Sequence, residues 1–185
     1  LMIQGVISQP WEHAARGAQS LYRHSLWLGV LGRVWGLLSG RPRRLLELND
    51  YERREARTSP GNGPRDGAGS RHYAGLQTVP LDRIRGSEGK GKDFDADFNL
   101  LQNRSEARWL SVATARLHGA SLPPVELVQV GETYFGRDGH HRISVARAMG
   151  EEFVEAEVTV WQEPASASAR EQATALARQA CAQAI

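Results

Sequence analysis

The sequence predicts an α+β protein: a small mixed sheet with helices packed on it, a helical extension at the N-terminus and a further helix at the C-terminus. Three observations predict it. Between residues 75 and 162, apolar runs of strand length alternate with runs at helical spacing. Residues 58–72 hold four glycines, two prolines and no aliphatic side chain larger than alanine, the composition of a linker. Residues 165–185 carry nine alanines with few helix breakers, which favours a helix by propensity alone. The expected division is a basic helical extension over 1–57, a linker over 58–74, the main domain over 75–162 and the C-terminal helix over 163–185.

Taken in order, Trp11, Ala15, Ala18, Tyr22 and Leu26 recur at helical spacing behind Pro10, which suits a first helical residue. The stretch 26–38 is apolar but broken by Gly29, Gly32, Arg33 and Gly36. Two readings compete for it: packing of Trp27, Val30, Leu31, Val34 and Leu38 on the main domain, or a basic amphipathic segment lying on a membrane surface. After the linker, a strand is expected over 78–84, a helix over 104–118 ended by Gly119, and a strand over 125–130. A Gly131-Glu132 turn then leads to a hairpin partner over 133–137. A helix over 140–149 stops at Gly150, and the alternating apolar positions of 152–161 make a last strand.

At 185 residues, with 41% apolar and 24% charged residues, the composition is that of one globular domain with extensions. No apolar run reaches the roughly 20 residues that span a bilayer. The start, Leu1-Met2-Ile3-Gln4, has no basic and apolar leader pattern, so the expected location is the cytoplasm, with peripheral contact at the inner membrane as an option. A single cysteine, Cys181, excludes an internal disulfide and a thiolate metal cluster. Charge is uneven: residues 1–74 hold eleven arginines against six acids. A GC-rich genome accounts for such an arginine bias without any function; in the functional reading, Arg41, Arg43, Arg44, Arg53, Arg54 and Arg57 are the candidates for a DNA-binding face.

The sharpest feature is the run Tyr134-Phe135-Gly136-Arg137-Asp138-Gly139-His140-His141-Arg142. A strand ends, the chain turns at Asp-Gly, and a helix begins. Helix-start N–H groups lack intrahelical partners and carry the positive end of the dipole, so an anion there is stabilised. Gly139 admits close backbone approach, Arg142 can fork onto phosphate, and His140 and His141 can move protons. The same residues equally suit a plain helix cap, with Asp138 capping and the histidines bonding turn carbonyls. Upstream, Ser87, Lys90 and Lys92 form a Gly-spaced loop able to add charge to the same phosphates, and Asp93, Asp95 and Asp97 with Asp138 can hold Mg²⁺ through carboxylates and nucleotide oxygens; a solvated loop accounts for the lysines, and structural capping or surface solvation for the acids, equally well. His72 and His118 read as ordinary surface histidines.

The order Val79-Pro80-Leu81-Asp82-Arg83-Ile84, Asp93-Phe94-Asp95, Leu122-Pro123-Pro124-Val125 and Gly139-His140-His141-Arg142 resembles the ParB N-terminal/sulfiredoxin superfamily over residues 75–161. The resemblance implies a ParB/sulfiredoxin-like fold whose turn binds ATP or CTP, with Gly139 and Arg142 as the shared nucleotide-contacting pair. Where sulfiredoxin has its catalytic cysteine this chain has His140, so sulfinic-acid reduction is not expected. After Trp161 only an Ala-rich segment follows, in place of the DNA reader of partition ParB proteins, so centromere binding is not expected.

By resemblance, single-domain ParB-like NTPases and DNases remain, including the Osa-type fertility-inhibition proteins of conjugative plasmids. The implied function is Mg²⁺-dependent NTP hydrolysis with DNA cleavage as a second activity. Catalytic candidates are Asp138, His140, His141 and Arg142; nucleotide-binding candidates are Ser87, Lys90, Lys92, Gly139, His140, His141 and Arg142; metal candidates are Asp93 and Asp138. The alternative is a non-hydrolysing, nucleotide-controlled switch that binds a partner protein, such as a conjugation or secretion component, or a membrane surface. A small-molecule kinase would need a second acceptor pocket that no motif supplies. The apolar residues Trp27, Val30, Leu31, Val34, Trp35 and Leu38 are expected to dock on the main domain, leaving the arginines as a cationic face beside the turn.

Overall fold

A computed structural model describes residues 10–40, 44–50, 70–89 and 92–162. The elements in order are α1 (Pro10–Leu38), β1 (Leu46–Glu47), β2 (Ser70–Pro80), β3 (Ile84–Ser87), α2 (Glu106–Leu117), β4 (Val125–Val130), β5 (Thr133–Asp138), α3 (His140–Ala148) and β6 (Phe153–Gln162). Short 3₁₀ turns precede β3 and α2. The strands form one six-stranded mixed sheet in the order β1-β3-β5-β4-β6-β2. β1, β3 and β5 run parallel, β4 opposes β5, β4 and β6 are parallel, and β2 opposes β6. The mixed α/β class expected from the alternating periodicities is the one observed.

Alternation along β4 divides the core between the two faces of the sheet. Val125 and Leu127 face the helices and join Ile84, Phe94, Leu100, Trp109, Ile143 and Val158. Val128 and Val130 face the other way and pack with Leu48 and Phe135. The helical layer is tied together through Trp109 on α2. Its indole N–H donates to Ser144 Oγ on α3 at 2.9 Å, and its ring meets Tyr22 of α1 with centroids 5.6 Å apart.

Several expectations change. The segment 78–84 is not one strand: β2 ends at Pro80, a 3₁₀ turn follows over Leu81–Arg83, and β3 begins at Ile84. Pro80 still pairs with Phe153 at the sheet edge, where a missing N–H is tolerated, and Leu81 N–H makes the last bond to β6, to Glu152 O at 2.9 Å, before the chain turns. Residues 70–74, read as linker, open β2: Ser70 to Tyr73 pair with β6, and Ala74 lies at a bulge. Strand neighbours rather than propensity make that segment extended. The N-terminal segment is not an appendage either, because β1 joins the sheet edge and Leu45 and Leu48 are buried in the core. The expected C-terminal helix lies outside the described residues.

The largest correction concerns α1. Its 29 residues run unbroken through Gly29, Gly32 and Gly36. The residues it buries are the small ones, Ala14, Ala18, Ser25, Gly29, Gly32 and Gly36 with Tyr22, recurring three and four apart along one face. A Cβ at Gly29 would lie 2.3 Å from the Leu100 carbonyl oxygen, so glycine alone admits this approach of backbone to backbone. The large side chains expected to dock point the opposite way. Trp27, Val30, Leu31, Val34, Trp35 and Leu38 are all exposed, Trp35 at 69% and Leu38 at 79%.

Candidate functional site

β3 and β5 run side by side with Ser87 opposite Gly136, and β5 delivers the chain to the turn at Asp138-Gly139. Gly139 is the N-terminal cap of α3 with φ 85°, and as glycine it brings no side chain of its own to the helix start. Two constraints demand glycine here. The left-handed backbone disfavours any Cβ, and a Cβ would sit 2.6 Å from Val125 Cγ1. Ile143 N–H closes the first helical turn on the Gly139 carbonyl at 3.0 Å. The N–H groups ahead of it are the ones an α-helix leaves without intrahelical acceptors.

His140 points into the protein. Its Nε2 lies 2.7 Å from Ser87 Oγ, and both side chains are buried, at 2% and 0% exposure. The ring stacks on Phe94 at 6.1 Å between centroids and lies 6.3 Å from Phe98, while the half-buried His141 meets Phe94 edge-on at 5.5 Å. Gly136 makes room for this arrangement, since a Cβ there would come within 3.3 Å of His140 Nε2.

Arg142 forks onto its own chain. Its Nη1 donates to the carbonyls of Pro123 and Pro124, each at 2.6 Å, and its Nη2 to Asp138 Oδ2 at 2.8 Å. The guanidinium thereby ties the loop before β4 to the start of α3. Beside it opens a cavity of about 410 Å³ lined by Pro123, Pro124, Val125, Arg142, Val145 and residues of β6.

The upstream candidates reach the turn unequally. Ser87 does so directly through His140. Glu88 N–H donates to Gly136 O at 2.8 Å, and its carboxylate pairs with Arg71 and with Arg137 next to Asp138. Lys92 is exposed, and Lys90 lies outside the described residues. Asp93 is half-buried, and its carbonyl accepts from Leu101 N–H at 3.0 Å. Asp95 is buried and folds its own loop, accepting from the N–H groups of Asp97 and Asn99 at 2.9 and 2.8 Å and from the Asn99 side-chain amide at 3.1 Å. Burial raises its pKa above the ordinary carboxylate range against those hydrogen bonds. No group of three His, Cys, Asp or Glu side chains converges among the described residues. Of the six arginines expected to face DNA, Arg44 is described; it is exposed, and its backbone bridges to Asp95, next to Phe94. Arg41, Arg43, Arg53, Arg54 and Arg57 lie outside the described residues.

Sequence reasoning missed Phe94 and Phe98, which wall in the histidine rings, and Arg147. That side chain donates to the carbonyls of Leu81 and Ile84 at 2.5 and 2.8 Å and lies over the Phe98 ring at 5.1 Å. Burial above all lowers its pKa. Two phenylalanines four residues apart in an otherwise acidic loop were the available signal.

No family model matches the chain, and no curated protein does. Among solved structures it is similar to the crystal structure of sulfiredoxin from Arabidopsis thaliana, at 23% identity and a TM-score of 0.31, over 45% of this chain and 82% of that one. A superposition that loose supports neither membership of a family nor an activity.

Proposed function

We propose that the chain is a ParB/sulfiredoxin-type nucleotide-binding protein that holds the phosphates of ATP or CTP at the start of α3. The observation that carries this reading is the turn itself: a left-handed glycine at the end of β5 opens the nine-residue helix α3, and the positive end of that helix's dipole favours an anion there. Arg137, two residues before Gly139 and shared with Glu88, supplies positive charge beside the turn, and the cavity beside Arg142 offers room for a base or sugar. Arg142 serves here as a positioning residue that fixes the turn, and reaches phosphate only by giving up Asp138. His140, buried on Ser87, holds the turn's shape; His141 is the better placed of the two to orient water.

Mg²⁺ suits this site as a nucleotide-borne ion, completed by Asp138 or Asp93, because no three carboxylates or histidines converge into a cage among the described residues. When bound it would neutralise charge on the phosphate oxygens. The residues then do the rest: amides at the helix start accept developing negative charge, and His141 orients the attacking water. NTP hydrolysis, with DNA phosphodiester cleavage as a second activity, is the chemistry proposed, as in Osa-type proteins acting on transferred DNA. Arg41, Arg43, Arg44, Arg53, Arg54 and Arg57 would attract DNA through counterion release.

Calorimetry with ATP and with CTP in the presence of Mg²⁺, followed by single-turnover mixing with labelled nucleotide, tests the reading. Binding with product formation is expected, and absence of binding to both nucleotides overturns it. DNA binding is best tested by Arg→Gln at 41, 43 and 44. Removing residues 1–57 would strip α1, Leu45 and Leu48 from the core and unfold the domain.

A further inference from the structure

Along its solvent side α1 changes character. From Arg16 to His24 the exposed positions are Arg16, Gln19, Ser20, Arg23 and His24, whereas from Trp27 to the helix end they are Trp27, Leu28, Val30, Leu31, Val34, Trp35 and the two leucines that end the helix, with Arg33 as the single charge. Twelve residues at 1.5 Å rise make an apolar strip about 18 Å long, and at 100° per residue it covers roughly half the helix circumference. This is contiguous apolar surface of a kind that marks an interaction site, not scattered exposure. The face is directed away from the protein by the packing of Gly29, Gly32 and Gly36, so no rearrangement is needed to present it.

The charge around the strip selects its partner. Along the chain no aspartate or glutamate occurs between Glu12 and Glu47, while six arginines do: 16, 23, 33, 41, 43 and 44; across the fold, Asp95 and Asp97 line a groove with Leu28, Leu31 and Trp35 at one edge of the strip, together with Arg147. Arg23 lies one turn before Trp27 on the same line of the helix, Arg33 flanks the strip, and Arg41, Arg43 and Arg44 follow its end in the chain. A second copy of the same face would bring like charges together. A bilayer rich in anionic headgroups offers acceptors for every arginine and an acyl boundary for the aliphatic groups, with tryptophans at the depth they prefer. The helix cannot pass through, since no helix among the described residues is long and apolar enough to cross a membrane. We infer that the exposed C-terminal half of α1 seats the protein on the surface of an anionic lipid bilayer, independently of the nucleotide site.

Flotation of the full chain with phosphatidylcholine vesicles, with and without phosphatidylglycerol, tests this. Capture is expected on the anionic vesicles at low salt, falling as salt screens the arginines, with a blue shift in tryptophan emission. The Leu31→Glu, Val34→Glu double variant should bind those vesicles at least about tenfold more weakly, because it removes apolar area and adds charge repelled by the surface. Its circular dichroism should match the parent, since both positions are solvent-facing. The inference is overturned if anionic vesicles capture nothing at low salt, or if the double variant binds as well as the parent. It is overturned too if light scattering finds a dimer that the double variant abolishes while vesicles compete for nothing. Nucleotide calorimetry on the same variant separates this outcome from failure of the phosphate site, because the variant leaves the turn untouched.

Discussion

The start of α3 and the end of α1 both depend on glycine, for opposite reasons, and the contrast organises the molecule. At Gly139 the requirement is mainly conformational: a left-handed backbone turns a strand into a helix, and the side chains around it point inward onto Ser87, Phe94 and the Pro123-Pro124 carbonyls. At Gly29 the backbone is ordinary helix and the requirement is spatial, because the Leu100 carbonyl comes so close. One glycine shapes a site from polar groups already engaged within the chain. The other makes a contact so close that the bulky side chains are left outside. A pocket of chemistry and a patch of adhesion thus arise from the same residue type.

The contrast breaks most sharply at Gly139. Gly139→Ala should cost about 2–4 kcal/mol, combining the left-handed penalty with overpacking against Val125, and nucleotide binding should fall with it. Denaturant unfolding measures the first. Pairing the change with Val125→Ala should relieve the clash and leave the backbone penalty; if the double variant is no better than the single, packing was not the second cause.

Arg142→Ala follows in size, at about 1.5–3 kcal/mol, for a largely buried guanidinium that satisfies two carbonyls and a carboxylate. Arg142→Lys keeps the charge and loses the fork. If Lys restores nucleotide affinity but not stability, charge at the turn matters to the ligand and geometry to the fold. Equal loss of both by the two variants would leave Arg142 as a purely structural tie.

A smaller effect is expected where the two regions meet. Asp95 lies beside Gly32 of α1, its Oδ2 3.2 Å from where a Cβ would stand, and one residue from Phe94. Its pKa is raised in the fold from 3.8, chiefly by burial. The neutral form is therefore favoured by folding, so its contribution to stability is fully present below pH 3.8 and is lost as pH rises through the folded pKa. Asp95→Asn should therefore gain on the parent as pH rises across that window, measured by thermal unfolding over a pH series. A constant difference at every pH would mean that the carboxyl titrates alike in the folded and unfolded chain.

The smallest change should come from Leu37→Ser or Leu38→Ser. At 78% and 79% exposure they contribute little to folding, so stability should stay within about 0.5 kcal/mol while vesicle binding drops. Destabilisation beyond that would place these side chains against the protein and remove the contrast between the two glycine-dependent regions.

Periodicity and turn chemistry made much of this protein legible in advance. The hairpin of β4 and β5, the helix ending near Gly119, the turn into α3 and the final strand all follow from local rules: apolar alternation, a glycine after a strand, a glycine past a helix. Such rules depend on a residue and its near neighbours, which is why one sequence suffices for them. What only the tertiary structure decided depends on partners distant in the chain. Residues 70–74 became strand because β6 lies alongside; Ser87 met His140 across fifty-three positions; and Arg142 found carbonyls rather than open solvent. The orientation of α1 is the plainest case. Its hydrophobic pattern marks Trp27, Val30 and Leu31 as a face, and burial of large apolar groups argues for turning that face inward. Small residues on the opposite side let the backbone come within reach of Leu100, and that close packing set the orientation of the helix, a choice no count of apolar residues along the chain contains.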